Sequence, residues 1–229
     1  MKRKILIIVL VIILICAGTF AILYKKNAFA IKRNSQREYY KLSYYVKDIF
    51  TKECDVMFMG DSITWLYDME ENFPGKNYIN RGISGDRTTD VLDRCTFTFK
   101  NVKAKKIVLL IGINDIFQTS KTEREVLDNT YAIIEKAKEY NPDAEIFVQS
   151  VYPVSNGGFG NLHDNCAGKI DTVNKELSEK AEEKGYTYID MFSVLVDENG
   201  CFTASYTYDG LHPSKEGFKV ITKELEKFL

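Results

Sequence analysis

Histidine is scarce in this chain of 229 residues, which has only His163 and His212. A reaction that needs an imidazole base therefore has two candidates. Tryptophan occurs once, at Trp65. None of the five cysteines stands in a CxxC spacing, so a zinc-thiolate site fits poorly. With Cys16 inside an apolar run, Cys54, Cys95, Cys166 and Cys201 suit isolated thiols as well as disulfides. Positive charge is short in the main part of the chain. Residues 51–229 hold 21 Lys/Arg against 30 Asp/Glu. That acidity argues against nucleic acid or another polyanion as a partner. Internal repeats and low-complexity tracts are absent, and the length suits one globular domain with an appendage.

The appendage is N-terminal. Residues 5–24 are apolar or small and carry no charge. At ~1.5 Å per residue such a helix spans the ~30 Å hydrocarbon core of a bilayer. Residues 1–50 hold ten Lys/Arg and two Asp/Glu, a balance that suits an anionic membrane surface. The run is long for a signal-peptide core, which favours a retained single-pass anchor. Cleavage after Ala28-Phe29-Ala30 is an alternative. Lipidation of Cys16 is a weaker one, because bulky Ile15 precedes it. Lys25, Lys26, Lys32, Arg33 and Arg37 follow the run, so the positive-inside rule does not settle its direction. The expected layout is a basic tail (1–4), a transmembrane signal-anchor helix (5–24), a basic stalk with a juxtamembrane helix (25–50) and a main domain (51–229). Location in the cell membrane with the main domain outside is the expected topology. In the stalk, Tyr39, Tyr40, Tyr44, Tyr45 and Val46 line one side of the helix and are expected to pack on the domain.

From residue 54 onward, strand and helix patterns alternate. Strands are expected at Asp55–Met59, Tyr78–Asn80, Lys106–Ile111, Glu145–Val151 and Tyr186–Asp190. Helices are expected at Thr88–Arg94, Glu123–Tyr140, Gly168–Lys184 and Lys215–Leu229, with Asn141-Pro142 and Gly185 as stops. The alternation predicts an α/β fold in three layers, with a parallel sheet covered on both faces.

Four short segments carry candidate chemistry. Asp209 stands three residues before His212, a spacing that brings a carboxylate and an imidazole to one side of a turn. In Gly60-Asp61-Ser62-Ile63, Ser62 follows the first strand and lies near a helix start. A serine nucleophile needs a base, and the base needs an acid to hold its tautomer. Gly85, in Gly82-Ile83-Ser84-Gly85-Asp86, follows the second strand, where a glycine lets the backbone approach a reacting atom. Asn114, in Gly112-Ile113-Asn114-Asp115, follows the third and offers an amide donor to an oxyanion. Taken singly, these segments also read as helix caps or tight turns. Together, three of them follow strands and so share one edge of the sheet.

This combination of Ser62, Gly85, Asn114 and His212 resembles the SGNH hydrolases, also called GDSL-type esterases and lipases. The likeness covers residues 54–229. The stretch Asn80–Arg94, with GIND and DGLHP, most resembles the branch of platelet-activating-factor acetylhydrolase-like enzymes. The resemblance implies a flavodoxin-like sandwich and no metal or other cofactor. It implies Ser62 as nucleophile, Asp209 and His212 as the rest of a triad, and the N–H groups of Ser62 and Gly85 with the Asn114 side chain as oxyanion hole. GDSI in place of GDSL is an apolar exchange that leaves these roles intact.

Asp61, Arg87 and Trp65 are further candidates for substrate contact. Their structural alternatives are a helix cap, an ion pair with Asp86, and packing under the first helix. The glycine-rich stretch Ser155–Gly168 is expected to border the site as a lid or wall, with His163 a loop histidine. The expected function is a membrane-anchored serine ester hydrolase. Its partner is an acyl ester, with O-acetyl groups on glycans one candidate. An O-acetyltransferase, a lipid or thioester hydrolase, and a non-catalytic binding module are the alternatives.

Overall fold

The computed structural model describes Lys32 and residues 34–229. The expected basic tail, the membrane-anchor segment 5–24 and Cys16 lie outside the described residues. Among those described, no helix is long and apolar enough to cross a membrane. The chain forms two compact units, Met1–Leu42 and Ser43–Leu229. In the first, Lys32 and residues 34–42 are helical. The second carries the sheet and all four candidate segments.

The second unit begins with helical residues 43–50 (α1). Five strands follow along the chain: β1 (Glu53–Gly60), β2 (Tyr78–Gly82), β3 (Lys103–Leu110), β4 (Glu145–Gln149) and β5 (Thr187–Ile189). All pair in parallel, in the order β2-β1-β3-β4-β5. Each strand sits within a residue or a few of its expected place. The last five residues of β1 and the last four of β3 are buried without alternation. A strand buried on successive residues is covered on both faces, which explains its continuous Val/Ile/Leu/Met/Phe composition.

Between β1 and β2 lie α2 (Ser62–Leu66) and α3 (Met69–Asn72). Helix α4 (Thr88–Asn101) links β2 to β3. Helices α5 (Ile113–Gln118) and α6 (Glu123–Tyr140) link β3 to β4. Helices α7 (Leu162–Glu179) and α8 (Ala181–Lys184) link β4 to β5, and α9 (Met191–Leu195) and α10 (Lys215–Leu225) close the chain. Right-handed crossovers put α4, α6 and α7 on one face and α2 and α3 on the other. The packing agrees, with α6 against α4 and α7, and α10 against α3 and α9.

Helix α6 has the bounds expected from its sequence. Thr122 and Glu125 form a capping box at its start, and Val126, Leu127, Thr130, Tyr131, Ile134 and Ala137 make its buried stripe. Helix α7 starts six residues before Gly168, where the sequence pattern suggested a beginning. The reason is that Leu162 and Cys166 continue the buried stripe of Ile170, Val173 and Leu177. Gly168 has open space around it and is tolerated within the helix. All four cysteines of the second unit are free thiols.

The strand order reverses between β1 and β3. In an open parallel sheet, that switch point leaves a crevice beyond the strand ends. Ser62 follows β1 and Asn114 follows β3, so the two flank it.

Candidate active site

The C-terminal segment builds its pair locally. One oxygen of Asp209, Oδ1, accepts the backbone N–H of Leu211 at 2.9 Å and of His212 at 2.7 Å. The other, Oδ2, lies 2.7 Å from His212 Nδ1. Gly210, at φ 87°, makes the reversal that brings the ring back onto its own carboxylate, a conformation that favours glycine. Partial desolvation raises the Asp209 carboxyl. The His212 and Leu211 N–H donors and the imidazole outweigh it, and hold the group below its ordinary value. An ionised Asp209 keeps the proton on Nδ1 and leaves the Nε2 lone pair free. Nε2 lies 2.9 Å from Ser62 Oγ, across 150 residues of sequence.

Ser62 opens α2, and its position depends on two close approaches. A Cβ on Gly60 would collide with the Leu110 carbonyl and the Thr64 side chain. One on Gly82 would collide with the Trp65 backbone nitrogen. Helix α2 therefore rests directly on the ends of β1 and β2. Asn80 fastens it there: its amide donates to the carbonyls of Thr64 and Tyr67, and its oxygen accepts the Gly82 N–H. The sequence reading did not single out Asn80.

Asp61 caps α2 by accepting the Ile63 N–H at 2.9 Å. It is fully buried, and shares an apolar pocket with Ile63, Leu110, Ile113, Val151 and Leu211. Burial, with smaller repulsion from Asp86 and Asp115, pushes its carboxyl up to about 7.

Residues 83–86 form a turn closed by the Asp86 N–H on the Ile83 carbonyl. Gly85 occupies its third position at φ 79°, as a type II turn requires. Asn114 Nδ2 donates to the Asp86 carbonyl at 2.9 Å and lies 3.5 Å from Asp61 Oδ2. The amide thus touches the neighbours of both Gly85 and Ser62. Asp115 reaches back to α4, accepting from the Thr88 N–H and hydroxyl at 2.8 Å each and pairing with Lys121 at 2.6 Å. The structure therefore brings together all four candidate segments.

The remaining candidates are placed less directly. Trp65 and Arg87 are both half-buried, in α2 and at the start of α4. The Asp86 carboxylate is taken by Arg94 at 2.7 Å, a buried residue not picked out from the sequence. His163 lies in the first turn of α7, with Nδ1 3.7 Å from Asp164. The glycine-rich stretch does border the site. The Gly158 N–H donates to the Asp209 carbonyl at 3.2 Å, and the Phe159 ring stands 5.6 Å from the His212 ring, edge to face. Tyr208 also stacks on the His212 ring, at 5.8 Å, and is 62% exposed. Beside it an open groove of about 620 Å³ is lined by Leu66, Glu71, Tyr208, Pro213, Lys215 and Phe218. Among the described residues, no group of three or more His, Cys, Asp or Glu side chains is arranged to hold a metal ion.

This arrangement sets a carboxylate, an imidazole and a serine hydroxyl in line, with the Gly85 turn and the Asn114 amide close by. Comparison with known proteins points the same way. The sequence model of the GDSL-like Lipase/Acylhydrolase family matches residues 58–220. The platelet-activating factor acetylhydrolase IB subunit alpha2 of Homo sapiens is 29% identical over 191 residues, covering 81% of this chain and 80% of that protein. A Streptococcus pneumonia structure, provisionally described as a platelet activating factor, superposes with a TM-score of 0.81 at 29% identity. It covers 88% of this chain and 96% of its own. A mutant acetyl-xylooligosaccharide esterase from Geobacillus Stearmophilus shares the fold, with a TM-score of 0.60 at 16% identity over 78% of this chain and 95% of its own.

Proposed function

Because this chain belongs to the GDSL-like lipase/acylhydrolase family, we propose that it is a serine ester hydrolase with Ser62 as nucleophile, His212 as base and Asp209 as the acid that orients the base. The observation that carries this reading is the unbroken relay from Asp209 Oδ2 to His212 Nδ1, at 2.7 Å, and from His212 Nε2 to Ser62 Oγ, at 2.9 Å.

Ser62 Oγ bonds the ester carbonyl carbon as His212 Nε2 takes its proton. The carbonyl π pair moves to oxygen. Three donors receive that charge: the N–H groups of Ser62 and Gly85 and the side chain of Asn114. One Asn114 hydrogen is committed to the Asp86 carbonyl. Among the described residues the other has only Asp61 at 3.5 Å, the outer limit of a hydrogen bond, and is the one that serves the oxyanion. The tetrahedral adduct then expels the alcohol, whose oxygen takes the proton from Nε2. Water attacks the acyl-enzyme, gives its proton to Nε2, and frees the carboxylic acid as Ser62 recovers its hydrogen.

The acyl group in this reading is small. The word acetylhydrolase in the name of the human relative supports that size. The partly charged groove beside Tyr208 suits a polar alcohol, and O-acetyl groups on glycans are the class we assign. Residues 5–24 hold the enzyme in the cell membrane in this reading, with the second unit outside. The test is hydrolysis of p-nitrophenyl acetate, longer p-nitrophenyl esters and O-acetylated glycans by the full-length chain. Activity should be greatest on acetyl esters and should disappear in Ser62→Ala. Undiminished turnover in that variant would refute the assignment.

A further inference from the structure

The oxyanion turn is held from outside the sheet. Helix α1 presents Tyr44 and Asp48, one turn apart, to the end of β2. The Tyr44 hydroxyl donates to the Gly82 carbonyl at 2.9 Å, immediately before the 83–86 turn. Asp48 is fully buried. Its Oδ1 accepts from Arg81 Nε at 2.7 Å and lies 2.6 Å from Nη2, while its Oδ2 accepts the Thr98 hydroxyl at 2.7 Å. The Arg81 guanidinium also lies over the Tyr44 ring, 5.0 Å from its centre.

The network continues inward through Arg94. Its Nη2 donates to the Arg81 carbonyl at 2.8 Å and the Gly60 carbonyl at 3.1 Å, and its Nε donates to Asp86 at 2.7 Å. Gly60 precedes Asp61 and Ser62. Asp86 follows Gly85, and its carbonyl takes the Asn114 amide. Buried polar contacts thus run from α1 to Gly60 and Asp86, which lie within two residues of the two backbone donors, and through the Asp86 carbonyl to the Asn114 amide. Tyr44 and Asp48 lie before the family-matched region, which begins at residue 58.

A buried ion pair adds little stability over a well-packed apolar pair, because desolvation offsets most of its attraction. Its geometry is strict, however, and that suits the orientation of a backbone segment. We infer that Tyr44 and Asp48 are positioning residues that set the oxyanion turn through Gly82 and Arg81. This inference rests on the reading of Gly85 and Asn114 as oxyanion donors. It makes α1 a working part of the hydrolase rather than a spacer.

The test uses the full-length chain. Tyr44→Phe removes one hydroxyl and keeps the ring beneath Arg81. Loss of that single hydrogen bond is expected to lower kcat on p-nitrophenyl acetate roughly fivefold with KM unchanged. Affinity for a trifluoromethyl ketone, which forms an oxyanion adduct on the serine, should fall by a similar factor. Asp48→Asn should lower both further, and Asp48→Glu should restore part of the loss. Urea midpoints measured alongside separate positioning from stability. Variants that lose stability but keep wild-type kcat and ketone affinity would overturn the inference, as would an effect on KM alone. Ser62→Ala is the independent control. If it remains active, the serine reading fails. If it is inactive and Tyr44→Phe keeps the full rate, only the positioning role fails.

Discussion

Replacing Asp61 with asparagine should make the protein more stable, and increasingly so as pH rises. The ordinary value of this carboxyl is 3.8, and burial in the fold raises it to about 7. Below pH ~4 the group is protonated in both folded and unfolded chains and contributes nothing. Between ~4 and ~7 the unfolded chain releases the proton while the fold retains it, so stability is lost as pH rises through this window. Above ~7 both states are ionised and the loss is complete. About three pKa units at ~1.4 kcal/mol each set an upper limit of roughly 4 kcal/mol. Asp61→Asn keeps the oxygen that caps the Ile63 N–H and removes the charge. The assay is urea unfolding of wild type and variant from pH 5 to pH 8.5. The sole tryptophan, Trp65, reports it from the same helix. The variant's advantage should grow by about 2–4 kcal/mol between these limits. A constant difference across pH, or an advantage that shrinks as pH rises, would refute the argument.

Two further outcomes follow from the same geometry. Asn114→Ala should lower kcat about 10²–10³-fold with little change in KM, as loss of an oxyanion donor does. Steady-state kinetics on p-nitrophenyl acetate would expose a normal kcat and so remove Asn114 from the mechanism. Gly82→Ala should destabilise the fold by roughly 1–3 kcal/mol, because its methyl group meets the Trp65 backbone rather than a side chain that can turn away. An unchanged urea midpoint would mean that α2 does not rest on β2 as described.

Some of this was legible because the information is local. Strands with uninterrupted burial read as continuous apolar runs, and α6 read to the residue because its capping box, stripe and stop lie within one stretch. Asp209 and His212 are paired by a turn of four residues, so their spacing was enough to find them. Helix α7 begins before the expected Gly168, because its buried stripe continues back through Cys166 to Leu162.

The sequence by itself determined the α/β class, the four chemical segments and the family likeness, since each rests on residues near one another in the chain. Only the tertiary structure could bring Ser62 to His212 across 150 residues. It also decided that Asp61 is wholly buried, that Asn80 fastens α2, and that Arg94 rather than an assumed neighbour takes Asp86 at 2.7 Å. The pair of Asp48 and Arg81, at 2.6 Å, likewise joins α1 to the end of β2, segments distant in the chain. Hydropathy and spacing act along the chain. Burial, charge pairing and the strand-switch crevice arise between segments, and depend on how the sheet orders them.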